Sequence, residues 1–247
     1  MLNPLKLSLI SLTLAILCMI FAPHCLYAQA GNQVDPDFVK NLEAKAKTGD
    51  IPASHTLGML YFYGEGVKQD YKKSADYLTQ SANANFPPSQ SFLGYLYEHG
   101  LGVKADAIKA ADLYEKAANQ GDTLAQLSLG ALYLMGTKIN ADYTKAFSWL
   151  TRAAQGGDYQ AQLFLGQMYL EGKGTEKSNP KAIDAFKKAA DNQEDDGSAA
   201  FLLGEIYNEG KFDVKANKST ARQYFQKGAN KGHPGCQGRL AELLGGK

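Results

Sequence analysis

The chain has 247 residues, 45% of them hydrophobic, which is enough to bury a sizeable core and excludes an intrinsically disordered protein. Its 26 Lys and Arg stand against 25 Asp and Glu, a net charge of +1, which excludes a function driven mainly by attraction to nucleic acid or anionic lipid.

The first predicted element is a leader. Lys6 precedes an apolar run from Leu7 to Ala22, and small residues at Ala28 and Ala30 offer cleavage points, so residues 1–28 read as a secretory signal peptide and 29–36 as a short linker. The run of 16 residues is shorter than the roughly 20 that cross a bilayer core. Cleavage is therefore favoured over retention as an anchor, no stable membrane span is expected afterwards, and the expected location is periplasmic or secreted. Cleavage also removes Cys18 and Cys25 and leaves Cys236 alone. That excludes an internal disulfide, and the expected role of Cys236 is a small core residue.

From residue 50 onward the sequence repeats. Leu57-Gly58, Leu93-Gly94, Leu129-Gly130, Leu165-Gly166 and Leu203-Gly204 follow one another at intervals of 36, 36, 36 and 38 residues. Such a period marks one helical hairpin copied along the chain. Five residues before each marker glycine stands a small residue (Ala53, Ser89, Ala125, Ala161, Ala199), three after it a tyrosine (Tyr61, Tyr97, Tyr133, Tyr169, Tyr207), and six after it another glycine (Gly64, Gly100, Gly136, Gly172, Gly210). At 100° per residue the small residue, the Leu, the marker Gly and the Tyr share one buried arc, which defines a first helix, A, ended by the second glycine in a left-handed conformation.

A second helix, B, follows in each unit. It carries an aromatic (Tyr77, Tyr114, Trp149, Phe186, Tyr224) and then a small pair (Ser81-Ala82, Ala117-Ala118, Ala153-Ala154, Ala189-Ala190, Gly228-Ala229). Asp70, Asp106 and Asp142 are the expected N-caps, with Asn179-Pro180 supplying a cap and a first-turn proline in the fourth unit. The units run 50–85, 86–121, 122–157, 158–194 and 195–231. Residues 37–49 read as a lone B helix capping the N-terminal end, and 232–247 as a lone A helix capping the other, with Ala241 in place of the marker glycine. A glycine inside a helix costs about 1 kcal/mol relative to Ala. The expected compensation is close approach of helix B, its small pair facing the glycine.

These offsets resemble the Sel-one-like repeat family, relatives of the tetratricopeptide repeats. Ala53 to Val67 fits the family's first half-motif position by position, Leu93 to Val103 and Ala125 to Gly136 fit nearly as well, and the resemblance covers Pro36 to Leu244. It implies an all-α, right-handed α-solenoid of about five units with capping helices. It also implies an inner surface lined by A helices and protein or peptide partners. Four offsets from the marker glycine project opposite the buried arc, and the apolar residues they select, Met59, Phe62, Tyr63, Tyr95, Leu127, Leu134, Met135 and Leu170, form the candidate binding face. The same side chains could instead pack between neighbouring A helices.

Signals for chemistry are poor. His55, His99 and His233 stand apart, no ligand types cluster at metal spacing, and the loop glycines lack the context of a phosphate loop, so no catalytic, metal or cofactor residues are assigned. Ser178 to Lys181, Ser81 to Asn83 and Lys47 to Gly49 formally match the three motifs of penicillin-interacting serine enzymes, but in reversed order and in slots the repeat already explains. The expected function is a non-catalytic adaptor in the envelope or outside the cell, in envelope regulation or host contact. The alternative is a peptidoglycan-binding or β-lactam-acting protein.

Overall fold

The computed structural model describes residues 35–245, so the expected leader lies outside the described residues. Among these are twelve α-helices and no strand. The A helices are α2 (Ile51–Tyr63), α4 (Pro87–His99), α6 (Thr123–Met135), α8 (Tyr159–Glu171) and α10 (Ser198–Glu209). The B helices are α3 (Tyr71–Asn83), α5 (Ala107–Asn119), α7 (Tyr143–Gln155), α9 (Asn179–Asp191) and α11 (Lys218–Asn230). Before them comes α1 (Pro36–Lys47), and after them α12 (Pro234–Gly245). The chain divides into two compact bodies at Ala141 and Asp142, with α1–α6 in the N-terminal body and α7–α12 in the C-terminal one. Within each body, consecutive helices pack on one another. None of the described helices is long and apolar enough to cross a membrane.

The helix boundaries follow from capping chemistry. Each A helix ends at the expected glycine, whose φ lies at 76°, 68°, 62°, 69° and 67° along the series. Asp70, Asp106 and Asp142 accept the backbone N–H of Lys73, Lys109 and Lys145 at 3.0, 3.0 and 2.9 Å, as expected of N-caps. In the fourth unit the cap is Ser178 and not Asn179. The helix already begins at Asn179, and the Ser178 hydroxyl accepts from the Lys181 N–H. Three A helices are capped in the same way by Asp50, Asp122 and Asp158, which accept from Ala53, Ala125 and Ala161 at 2.8, 2.7 and 2.7 Å.

The marker glycine does make room for helix B, but for a different part of it than expected. A Cβ on Gly58 would stand 2.6 Å from Cγ of Leu78, and one on Gly94 2.8 Å from the Tyr114 ring. On Gly166 and Gly204 it would run into the Phe186 and Phe225 rings. The glycine thus seats a large side chain, fully buried in all four cases, and burial of that side chain offsets the helix penalty. The aromatics taken from the sequence as one series occupy two adjacent positions. Tyr114 and Phe186 lie over the glycine, whereas Tyr77 and Tyr224 stack on the A-helix tyrosines Tyr61 and Tyr207, with ring centroids 5.7 and 5.6 Å apart.

The small pair of helix B meets the next A helix instead. Ser81 Oγ lies 2.5 Å from Ser89 Oγ, and Gly228 lies against the Cys236 sulfur. Gln90, Gln126 and Gln162 each donate a side-chain N–H to the backbone carbonyl of the pair's second residue, Ala82, Ala118 and Ala154, at 3.3, 3.1 and 3.3 Å. Cys236 occupies in α12 the position of the small residue in the A helices. It is buried, and desolvation pushes its thiol up to about 12, as a core residue requires.

Loops carry the remaining close contacts. A Cβ on Gly102 or Gly174 would collide with the backbone of Tyr71 or Tyr143 at the start of the preceding B helix, so both positions need glycine. In the last unit Phe212 holds the equivalent left-handed position at φ 54°, followed by Asp213 at 64°, and the Asp213 carboxylate accepts from the Asn179 amide at 2.7 Å. The extra residues before α10 bury Asp195, which accepts from the N–H groups of Gly197 and Ala199 and pairs with Lys231 at 3.2 Å.

Candidate functional site

The four outward offsets of the A helices are not equivalent. Leu127, three residues before its marker glycine, is 1% exposed. Phe62 and Leu170, four residues after theirs, are 8% and 6% exposed. These three residues are corrected from binding face to core. Positions −3 and +4 are seven residues apart, so two helical turns place them on one flank of the helix. Phe62 shows what fills that flank, with Tyr63, Tyr71, Phe92 and Tyr95 rings at centroid distances of 4.8, 5.5, 6.2 and 5.9 Å. Positions +1 and +5 lie on the other side of the outward direction. There Met59, Tyr63, Tyr95 and Met135 are half-buried, and so is Leu134 at +4.

In the N-terminal body this leaves a half-open apolar face on α2, α4 and α6. Its one carboxylate, Glu98, is tied down on both oxygens. Oε2 accepts from the Tyr114 hydroxyl at 3.0 Å, and Oε1 accepts from Lys138 Nζ at 3.0 Å. Burial and the Glu98 charge hold the Tyr114 phenol well above its ordinary range, so it stays a donor. Lys138 replaces a loop glycine; its ammonium covers the carboxylate and the adjacent carbonyl.

At +1 and +5 the C-terminal body is polar, with Gln167 and Glu171 on α8 and Glu205 and Glu209 on α10, and Asn208 stands at +4 of α10. Glu205 takes a two-point ion pair from Arg239 of α12, both contacts at 2.8 Å, with Glu242 as the guanidinium's other partner. Glu171 and Glu209 pair with Lys173 and Lys211.

One arrangement has the outline of a nucleophile and its base, with His55 Nδ1 2.8 Å from Ser89 Oγ. Ser89 has no exposed surface, so no substrate reaches its hydroxyl. Ser178 is occupied as a helix cap and Ser81 is buried against Ser89, which gives two members of the formal penicillin-type triplet structural duties. Among the described residues no three His, Cys, Asp or Glu gather where they would hold a metal ion.

Comparison with known proteins follows the same periodicity. Residues 52–86, 87–122, 123–158, 160–193 and 197–233 match the family model of the Sel1 repeat. Among solved structures, the chain is similar to c5321, a protective antigen present in uropathogenic Escherichia coli strains displaying an SLR fold. The identity is 30% and the TM-score 0.76, over 87% of this chain and 46% of that one. The chain thus spans about half the length of that relative. It is also similar to a Sel1 repeat protein from Oxalobacter formigenes, at 27% identity and TM-score 0.70, over 83% of this chain and 89% of that one. Immunity protein Pa5087 from Pseudomonas aeruginosa shares the fold at 19% identity and TM-score 0.52, over 92% of this chain and 83% of that one. No curated protein matches the sequence.

Proposed function

The chain belongs to the Sel1 repeat family of all-α solenoid proteins, and from that premise we propose that its mature form is a non-catalytic scaffold, docking a protein or peptide partner on the A-helix face of the N-terminal body. The observation that carries the reading is the repetition of half-open apolar side chains at equivalent outward offsets: Met59 and Tyr63 on α2, Tyr95 on α4, Leu134 and Met135 on α6. Apolar side chains held half-open on rigid helices suit an amphipathic helix or an extended segment of a partner.

We place this activity in the periplasm or outside the cell on the strength of Lys6, the apolar run to Ala22 and the small residues at Ala28 and Ala30. Envelope regulation and contact with a host both fit that location, and a relative described as a protective antigen favours the second. Two measurements test the proposal. Cell fractionation with N-terminal sequencing is expected to find the processed chain in the periplasm or medium, beginning near Gln29 or Gly31; an unprocessed cytoplasmic chain contradicts export. Affinity capture by the processed chain from native envelope and host-cell extracts is expected to retain a specific protein. Retention only on isolated peptidoglycan transfers the function to the cell wall.

A further inference from the structure

Three departures from the repeat pattern meet at the first repeat junction. The small-pair position facing the next A helix is Ser81 where the following three units carry Ala117, Ala153 and Ala189. The small residue it meets is Ser89 where the later A helices carry Ala125, Ala161 and Ala199. All six of those alanines are fully buried, so the other junctions are apolar at these positions. Three residues before the marker glycine stands His55, where α6 and α8 carry Leu127 and Leu163. The three polar groups form one relay across α2, α3 and α4, with His55 Nδ1 2.8 Å from Ser89 Oγ and Ser89 Oγ 2.5 Å from Ser81 Oγ.

The relay has a direction. With neutral imidazole, the Ser81 hydroxyl donates to Ser89 and the Ser89 hydroxyl donates to Nδ1, leaving the ring proton on Nε2. When the ring is protonated, Nδ1–H must donate to Ser89. Both hydroxyls then turn, Ser89 donating to Ser81 and Ser81 to the Leu78 carbonyl 3.3 Å away. Each proton along the relay keeps an acceptor, but a full positive charge now sits on a half-buried ring beside Phe86 and Phe92, whose centroids lie 5.2 and 6.3 Å from the imidazole. No carboxylate or cation on α2, α3, α4 or their connections acts on it. Burial is the sole cause holding its basicity below the ordinary histidine value. The ring is half-buried, so a proton reaches it without prior unfolding.

We propose that the His55–Ser89–Ser81 relay makes the junction between the first and second repeats an acid-sensitive latch, which loosens when His55 takes up a proton. A histidine held neutral by the fold leaves stability intact above the unfolded-state value near 6.5; stability falls as the pH drops from there through the lower folded value. In a repeat array each junction contributes its own nearest-neighbour term, so the loss is local and releases α1–α3 from α4 while the later junctions hold.

The test uses the full chain. Ring titration by NMR is expected to place His55 below the ordinary histidine value. Amide exchange, corrected for intrinsic rates, is expected to show about a threefold or greater loss of protection in α2 and α3 between about pH 7.5 and about pH 5, with α8–α11 unchanged. His55→Gln, which retains a hydrogen-bonding group without a titrating one, is expected to abolish that local pH dependence. Should this variant not fold, the combination His55→Leu, Ser81→Ala and Ser89→Ala writes the buried apolar set that Leu163, Ala189 and Ala199 form at a later junction and is expected to give pH-independent protection. His55 titrating at or above the ordinary value overturns the proposal, and so does an equal loss of protection in wild type and the non-titrating variants.

Discussion

The two bodies are built on one scaffold but carry A-helix faces of different chemical character. In both, the marker glycine seats a large side chain of helix B, Leu78 and Tyr114 in the first and Phe186 and Phe225 in the second. In both, a glutamine ties an A helix to the preceding B helix. Of the six outward +1 and +5 positions in the N-terminal body, Met59, Tyr63, Tyr95 and Met135 are half-open and apolar, Ala131 is buried and His99 is exposed, whereas the four in the C-terminal body are Gln167, Glu171, Glu205 and Glu209. The difference shows that positions defining the repeat and positions available to a partner are separable within a single helix. Where polar groups are buried the bodies also differ. The first holds a neutral relay that responds to protons, and the second holds an ion pair between Asp195 and Lys231.

Substitutions sharpen this contrast. The largest effect is expected at Gly166→Leu, because the fully buried Phe186 ring leaves no space for any side chain; thermal unfolding should show a loss above about 3 kcal/mol. Gly58→Ala in the N-terminal body faces the flexible Leu78 instead and recovers helix propensity, so its net cost should stay below about 2 kcal/mol. Equal costs for alanine at Gly58 and at Gly166 would remove the rigid-ring account. Lys231→Met strips the buried Asp195 carboxylate of its cation. Because the Lys231 side chain keeps 21% exposure, the expected loss is about 2–3 kcal/mol, read as reduced protection of α10 to α12 while α2 to α5 stay unchanged. The smallest effect is expected at Cys236→Ala, under about 1 kcal/mol, since three other A helices carry Ala there as fully buried residues. In the native protein the Cys236 thiol, pushed up to about 12, should resist alkylation at neutral pH and become reactive only on unfolding.

The period, the two helices per unit and the glycine stops were legible because each depends on residue type at a fixed local offset. The A-helix caps were not among the expected ones, although the Gly-Asp dipeptides Gly49-Asp50, Gly121-Asp122 and Gly157-Asp158 carry their signal. What faces the marker glycine was not, because Leu78, Tyr114, Phe186 and Phe225 are varied in type and the aromatics alternate between two neighbouring positions. The binding face was only half legible. Angular position on one helix distinguishes inward from outward, but whether Leu127 or Met135 stays open depends on packing that periodicity does not encode.

The central claim is that the partner reads the open offsets of the N-terminal body, and a reciprocal exchange of residues tests it most directly. One variant, Met59→Gln with Met135→Glu, gives the first body residues that the second carries at those offsets; the other, Gln167→Met with Glu171→Met, does the reverse. With helicity and melting matched to wild type, partner capture is expected to fall at least about tenfold for the first variant and to stay unchanged for the second, a tenfold change corresponding to about 1.4 kcal/mol. Undiminished capture by the first variant, or loss confined to the second, would contradict the account.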